Sequence, residues 1–198
     1  MTRVVINQSA YLPWKGYFDL IRDADVFVFY DDAQFSSGSW RNRNRIKTGD
    51  GLKWLTIPVG PGHKRAICEM TLADPWWQTK HWKTLRQFLG AAPFFGRLEP
   101  LLREVYGARS WRTLSELNQY LIRTIARDFL GIRTKIVSSG DYPSRARHTR
   151  HKANPAPPPA FDIHLRSSKT SRSSSAISSA CTFGEAMAAW LPPSRCAE

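Results

Sequence analysis

A strand–helix–strand pattern in the first 30 residues constrains the fold more than any other feature of this sequence. "RVVINQ" is a short apolar run typical of a buried strand, and "KGYFDLIRDAD" carries the apolar residues Phe18, Leu20 and Ile21 of a helix. "VFVFY" is a second, continuously apolar strand of the type buried on both faces of a sheet. The sequence therefore predicts an α/β unit whose two strands end at the same edge of a sheet.

A β-hairpin is predicted next, over about residues 40 to 59. "SWRNRNRIK" and "LKWLTIPV" flank the segment "TGDG". The Gly and Asp residues of this segment supply the positive φ angles that a tight turn needs. An antiparallel element thus follows the first unit.

The second half of the predicted domain is helical. "DPWWQTKHWKTLRQFLG" lies between a capping residue, Asp74, and an exit glycine, Gly90. Residues 97 to 106 form a shorter predicted helix, and "TLSELNQYLIRTIARDFLG" starts with the capping box Thr113 to Glu116. "RTKIVSS" is a last strand. Together these elements predict an α/β fold with a short central sheet and a helical second half.

The character of the sequence changes at Ser144. From there the chain is basic, then Pro-rich and Ser-rich, without helical or strand periodicity. We therefore predict a folded domain over residues 1–143 and a disordered tail over residues 144–198. The folded part is itself basic, because residues 1–141 hold 21 Lys and Arg against 13 Asp and Glu.

The composition indicates the charge of the partner and the cellular compartment of the protein. A net charge of +13 predicts an anionic partner. Three widely spaced cysteines make no disulfide framework and indicate a reducing compartment. The sequence shows neither a signal peptide nor 18 consecutive apolar residues, so we expect a cytoplasmic protein without a transmembrane segment. The sequence leaves any cofactor unknown, and no Cys or His lies at the spacing of a zinc site.

The loop after the first strand carries unusual chemistry for a strand–helix junction. Pro13 fixes its own φ and restricts Leu12, so the loop is stiff, and a glycine in it lets a backbone or a ligand approach closely. Ligands of open α/β sheets bind at this edge. Either the aromatic residues here form core, or as a set they form a ligand site. The candidate residues are Gln8, Tyr11, Trp14, Gly16 and Tyr17.

Two carboxylates, Asp31 and Asp32, follow the second strand at the same edge. Adjacent carboxylates hold a divalent cation or raise the pKa of one of them, which makes it a base. The structural alternative is that they form turns or pair with arginines. The sequence leaves both interpretations open.

"RNRNRIK" is a regular charge pattern. Cations recur at every second residue, namely Arg41, Arg43, Arg45 and Lys47, so in an extended strand all four project from one face and Asn42 and Asn44 from the other. Guanidinium groups in such a row suit phosphate or carboxylate, and the alternative is a charged strand edge that resists aggregation. We favour an anionic ligand because like charges on one face repel.

Four of these segments together resemble the WbqC-like protein family. They are "QSAYLPWKGYFDLI", "ADVFVFYDDAQF", "SWRNRNRIK" and "KWLTIPV", and the resemblance spans about residues 3 to 143. It implies a role in bacterial surface polysaccharide biosynthesis, including O-antigen, and a transferase that attaches glycine or a similar acyl group to a sugar. It gives weight to Gln8, Tyr11, Pro13, Gly16, Tyr17, Asp31, Asp32, Gln34, Asn42, Arg43 and Asn44.

The sequence departs from the family after "SSGDYPS", where family members continue with an ordered region. We predict a frameshift near residues 147 to 152 from the abrupt change in composition. Such a change would remove part of the core or of the site.

The favoured function is a transferase that acts on a nucleotide-activated amino sugar. In this hypothesis the arginine row neutralises phosphates, Tyr11 and Trp14 stack on a base or sugar ring, and Asp31 or Asp32 takes the proton of the attacking amine. Alternatives are a nucleotidylyltransferase, although the segment from Trp14 to Tyr17 lacks both signature histidines, a nucleic-acid-binding module, and an inactive frameshifted product. A nucleic-acid partner is not favoured.

Overall fold

Parallel strands near the N-terminus form the sheet that positions the site. The computed structural model describes residues 1–61, 64–74 and 76–142. In it β1 (Val4–Asn7), α1 (Lys15–Arg22) and β2 (Val26–Phe29) follow one another, and β1 pairs in parallel with β2. The predicted strand–helix–strand unit is therefore confirmed. The predicted disordered tail, residues 144–198, lies outside the described residues.

The last predicted strand joins the same sheet. β5 (Lys135–Ser138) pairs in parallel with β2, which gives the order β1-β2-β5. All three strands consequently end at one edge. This strand order could not be derived from the sequence, because it depends on where the chain returns after the helical segment.

The predicted hairpin is present and shorter than expected. β3 (Arg43–Thr48) and β4 (Gly51–Thr56) form an antiparallel pair, with Asn44 opposite Leu55. Gly51, where β4 begins, has a φ of 114°, a conformation that strongly favours glycine. Gly49 and Asp50 do not have a positive φ, so Gly51 alone supplies the positive angle that was expected of this segment. Asn42 and Asn44 are buried whereas the arginines beside them are half-buried, as the alternation predicts.

Three helices make up the second half of the described chain. They are α2 (Trp76–Leu89), α3 (Phe95–Arg103) and α4 (Leu114–Thr124). The last two continue as π-helical turns, and short 3₁₀ turns span Ile67–Glu69 and Ser139–Asp141. The mixed α/β fold is thereby confirmed. Within the described residues, no helix is both long enough and apolar enough to cross a membrane.

Local capping explains where these helices begin. The Asp74 carboxylate accepts the backbone N–H of Trp76 at 2.8 Å. Thr113 Oγ1 accepts the N–H of Glu116 at 3.2 Å, which is half of the predicted capping box. The Glu116 carboxylate instead accepts the N–H of Arg112 at 3.1 Å. The reciprocal half of the box is thus shifted by one residue.

One face of the parallel sheet packs against α1 and α4. Phe27 and Phe29 point to this face and are fully buried. Tyr17 of α1 meets Phe27 edge-on at 5.6 Å between ring centroids, and the Arg123 guanidinium of α4 lies 5.2 Å from the Phe29 ring. On the other face Ile6 remains 48% exposed. This packing holds the ends of β1 and β2 next to α4.

Candidate functional site

The loops that follow β1 and β2 are joined directly to each other. The backbone N–H of Tyr30 donates to the carbonyl of Asn7 at 2.9 Å, which extends the sheet beyond its strands. The N–H of Ser9 donates to Asp31 Oδ1 at 2.8 Å. The carboxyl edge of the sheet is thus a fixed surface and not a pair of independent loops.

Asp31 is the buried centre of this edge. Only 2% of its surface is exposed, and its second oxygen, Oδ2, accepts the Ser115 hydroxyl and Gln119 Nε2, the latter at 2.9 Å. Both carboxylate oxygens therefore have donors, as a buried charge requires. Asp31 connects the loop after β1 to α4, and that connection is its visible role.

Arg41 and Gln8 form the half-buried part of the same edge. Arg41 Nε donates to Gln8 Oε1 at 2.8 Å, and Nη2 donates to the same oxygen. This contact fixes the amide of Gln8, because only its oxygen can face two N–H donors. Burial lowers the pKa of the Arg41 guanidinium, while the charge of Asp31 opposes that shift.

Two donors at this edge have no partner among the described residues. They are Arg41 Nη1 and Gln8 Nε2, on side chains that are both half-buried. Tyr17 lies next to them and donates its hydroxyl to the Gln8 carbonyl at 2.9 Å. Burial, followed by the charge of Asp31, raises the pKa of Tyr17, so its hydroxyl stays protonated. The edge thus presents N–H groups to a ligand with oxygen acceptors.

The side chains of α4 complete this strand-edge cluster, which we define as Gln8, Ser9, Tyr17, Asp31, Arg41, Ser115, Asn118 and Gln119. Asn118 is fully buried and donates from Nδ2 to the carbonyl of Arg41 at 2.8 Å. Its Oδ1 is buried without a hydrogen-bond partner in the described structure. Sequence reasoning missed Ser9 and the three α4 residues. Ser115, Asn118 and Gln119 lie at helical spacing within an apolar helix, and that spacing is the signal that could have revealed them.

Asp32 takes no part in the hydrogen bonds that hold Asp31. Its side chain is exposed, and the Cys68 thiol donates to its Oδ1 at 3.8 Å. Burial, and next the charge of Asp32, raises the pKa of the Cys68 thiol. Among the described residues no three His, Cys, Asp or Glu side chains come together in a way that could hold a metal ion. The two adjacent carboxylates therefore face different surroundings.

Tyr11 lies in the core, away from the strand-edge cluster. It has no exposed surface, and its hydroxyl contacts His81 Nδ1 at 2.9 Å and the Tyr106 hydroxyl. His81 Nε2 lies 3.2 Å from the carbonyl of Thr56. The structure leaves the Tyr11 ring no surface with which to stack on a ligand, and His81 is buried beside it.

Trp14 lies over α1 and is 61% exposed. A Cβ built on Gly16 would overlap its indole ring, so the group that approaches this glycine is a side chain of the chain itself. Gln34 is exposed in a loop that pairs with Ala66 through an isolated bridge. The hydrogen bonds that define the strand-edge cluster involve neither Gln34 nor Trp14.

Asn42 and Asn44 hold the backbone around the site. Asn44 Nδ2 donates to the carbonyl of Leu12, and Asn42 Nδ2 to that of Ile57 at 3.0 Å. Leu12 has a φ of 47°, which is uncommon for a residue with a side chain. The hydrogen bond from Asn44 helps to hold this conformation, so the hairpin fixes the loop that precedes α1.

The arginine row divides into two parts. Arg41 faces Gln8, whereas Arg43 and Arg45 lie on the outer face of the hairpin beside two tryptophans. The Arg43 guanidinium is 4.3 Å from the Trp54 ring centroid, and that of Arg45 is 5.3 Å from it. Trp40 and Trp54 lie 5.6 Å apart. We call Trp40, Arg43, Arg45 and Trp54 the hairpin platform.

Comparison with known proteins gives one family. The model of the WbqC-like protein family matches residues 8–156. The chain is 41% identical over 157 residues to an uncharacterized protein of Mycobacterium tuberculosis, Rv1507c, and the alignment covers 78% of this chain and 67% of that relative. No solved structure matches. The frameshift predicted near residues 147 to 152 falls within the matched range and outside the described residues, and it stays a prediction.

Proposed function

The chain belongs to the WbqC-like protein family, and from this premise we propose that it is a transferase of bacterial surface polysaccharide biosynthesis, including O-antigen. Its substrate in this proposal is a nucleotide-activated amino sugar, and the transferred group is a glycyl or similar acyl group. The observation that carries the proposal is the pair of unpartnered donors, Arg41 Nη1 and Gln8 Nε2, at the carboxyl edge of a parallel sheet.

Arg41 binds a phosphate oxygen of the substrate in this proposal. Its charge is half-buried and is held in place by Gln8, so little side-chain entropy remains to be lost when an anion binds. An anion interacts more strongly with such a cation than with a fully exposed one, because water screens the charge less. Arg41 therefore supplies both the charge and the position for the phosphate group.

Acyl transfer then joins the amine of the sugar to the carbonyl carbon of an activated acyl donor. The new C–N bond forms as the bond from the carbonyl carbon to its leaving group breaks, and the leaving group departs with the electron pair. The carbonyl oxygen becomes negative in the transition state, and Gln8 Nε2 donates a hydrogen bond to it. Asp32, the exposed carboxylate, accepts the proton that the amine loses.

Asp31 is a positioning residue in this mechanism. Its oxygens already accept three hydrogen bonds, from Ser9, Ser115 and Gln119, so it holds the loop after β1 against α4. Gln8 is the first residue of that loop. A substitution at Asp31 would therefore act on the reaction through the position of Gln8.

Thermal unfolding with UDP-glucosamine tests the proposal. A ligand that binds only the native state raises the melting temperature. We expect the nucleotide sugar to raise the Tm of the wild-type chain and of an Arg97→Gln control, since Arg97 is exposed on α3, and to raise the Tm of Arg41→Gln by less. Equal stabilisation of Arg41→Gln and wild type would contradict the assigned role of Arg41. Incubation with a glycyl thioester and mass spectrometry of the sugar nucleotide then tests the transfer itself.

A further inference from the structure

The hairpin platform combines two exposed aromatic rings with two partly buried cations. Trp40 is 45% exposed and Trp54 43% exposed, although large aromatic side chains are usually well buried. Arg45 lies 5.7 Å from the Trp40 ring and 5.3 Å from the Trp54 ring. Arginines and indole rings therefore alternate on one outward-facing surface.

The two guanidinium groups of the platform lack an acidic partner. Among the described residues, neither Arg43 nor Arg45 has a carboxylate within salt-bridge distance. Gly38, with a φ of 67°, brings a turn close enough that a Cβ on it would lie 3.4 Å from Arg43 Nη2. The Trp54 face covers part of Arg43. Cations that are partly shielded from water and unpaired by carboxylates favour an anionic ligand.

We propose that the hairpin platform binds a nucleoside diphosphate, with the base stacked on Trp40 and Trp54 and the phosphates paired with Arg43 and Arg45. A planar base suits an indole ring, and guanidinium groups beside that ring suit phosphate oxygens. The platform contains two stacking rings, which matches one nucleotide better than a continuous single strand with successive stacked bases.

The hairpin platform and the strand-edge cluster meet at two residues that are adjacent in sequence. Trp40 and Arg41 are consecutive residues, and the first belongs to the platform while the second contacts Gln8. The carbonyl of Trp40 also accepts the N–H of Tyr11 at 3.0 Å, which fixes this junction against the loop after β1. A nucleotide on the platform can therefore direct its phosphates towards Arg41. Only the direction of the phosphates towards Arg41 rests on the proposed function. Binding of the bare nucleotide to the platform does not depend on that function.

Titration of tryptophan fluorescence with a panel of nucleoside diphosphates tests the proposal. We expect saturable quenching by at least one of ADP, GDP, CDP, UDP and dTDP, and weaker binding of the matching nucleoside and of pyrophosphate, each of which supplies only half of the contacts. Trp54→Leu is expected to weaken the affinity about ten-fold, in line with the loss of base stacking. Arg43→Gln combined with Arg45→Gln provides a second variant that leaves both rings in place. Trp76→Ala removes another exposed tryptophan, 69% exposed on α2, and serves as the matched control.

Three results would overturn the proposal. The first is binding of no member of the panel, and the second is unchanged affinity in both Trp54→Leu and the double arginine variant. The third is preference for a uridine dodecamer with affinity that grows with oligonucleotide length, which would indicate a nucleic-acid surface. Nucleotide binding that persists in Arg41→Gln while transfer is absent in the wild type would contradict the proposed function and leave the platform intact, so the two failures are distinguishable.

Discussion

The Tyr11 hydroxyl lies 2.9 Å from His81 Nδ1, and this contact has a defined direction. The carbonyl of Thr56 can only accept, so His81 Nε2 carries the proton and Nδ1 is the acceptor. Tyr11 therefore donates to His81, and Tyr106 donates to the oxygen of Tyr11. A loop after β1, strand β4, helix α2 and the turn after α3 are joined by this one buried chain of hydrogen bonds.

Removal of the Tyr11 hydroxyl should destabilise the protein more than removal of the Tyr106 hydroxyl. Tyr11→Phe leaves His81 Nδ1 without a donor and Tyr106 without an acceptor, so we expect a loss of about 2–3 kcal/mol in the free energy of unfolding. Tyr106→Phe leaves the Tyr11–His81 bond intact and should cost about 1 kcal/mol. Urea denaturation of both variants measures the difference. A larger loss for Tyr106→Phe would reverse the assigned direction.

His81 should make the protein sensitive to acid. Burial lowers its pKa from the ordinary value of 6.5 to about 4, a shift that the hydrogen bond to Thr56 only partly opposes. Between these values the unfolded chain binds a proton that the folded chain does not. The stabilisation is thus complete above pH 6.5 and is lost as the pH falls towards 4, by up to about 3 kcal/mol.

Urea denaturation between pH 7 and pH 5 measures this dependence. His81→Gln keeps an amide that can hydrogen-bond but does not titrate, so its stability should change little between about pH 6.5 and pH 5, where most carboxylates remain ionised. A slope in this interval that is the same in His81→Gln and in the wild type would assign the acid sensitivity to another group.

Asp31→Asn and Asp32→Asn should separate a structural carboxylate from a reactive one. In Asp31→Asn the new NH₂ group would face groups that now donate hydrogen bonds to the carboxylate. We therefore expect a loss of about 1–3 kcal/mol in the free energy of unfolding. Asp32 is exposed, and its substitution should change stability by less than about 0.5 kcal/mol while it slows acyl transfer. Denaturation and transfer rates measured on both variants give the comparison. Full transfer activity in a well-folded Asp32→Asn protein would exclude Asp32 as the base.

Local patterns predicted most of the fold. The apolar run of β2, the amphipathic α1 and the Gly-containing turn before β4 each depend on neighbouring residues, and the structure confirms them. The capping residue Asp74 likewise acts on a residue two positions away. Strand order was not predictable, since β5 reaches β2 only after the helical segment.

The site was predictable only in part, because its contacts join distant residues. Gln8 and Asp31 were found from strand ends, but Ser115 contacts Asp31 across 84 residues, and no local pattern encodes that contact. Alternation predicted that Asn42 and Arg43 face opposite sides, yet not that Arg41 would leave the row to contact Gln8. Likewise, the sequence could not tell which aromatic residue of the first loop is buried, and Tyr11 rather than Trp14 occupies the core.

Substitution of Gln8 should affect the reaction more than the binding of substrate. Arg41 orients the Gln8 amide so that Nε2 is available to the oxygen that becomes negative during transfer. Loss of one such donor lowers kcat by about 10²-fold or more, because the interaction strengthens only in the transition state, whereas loss of the contact that positions Arg41 raises KM to a smaller extent. Gln8→Ala should therefore show this pattern in steady-state transfer kinetics, and Gln87→Ala, an exposed glutamine on α2, should match the wild type. An increase in KM at unchanged kcat would instead make Gln8 a substrate-binding residue.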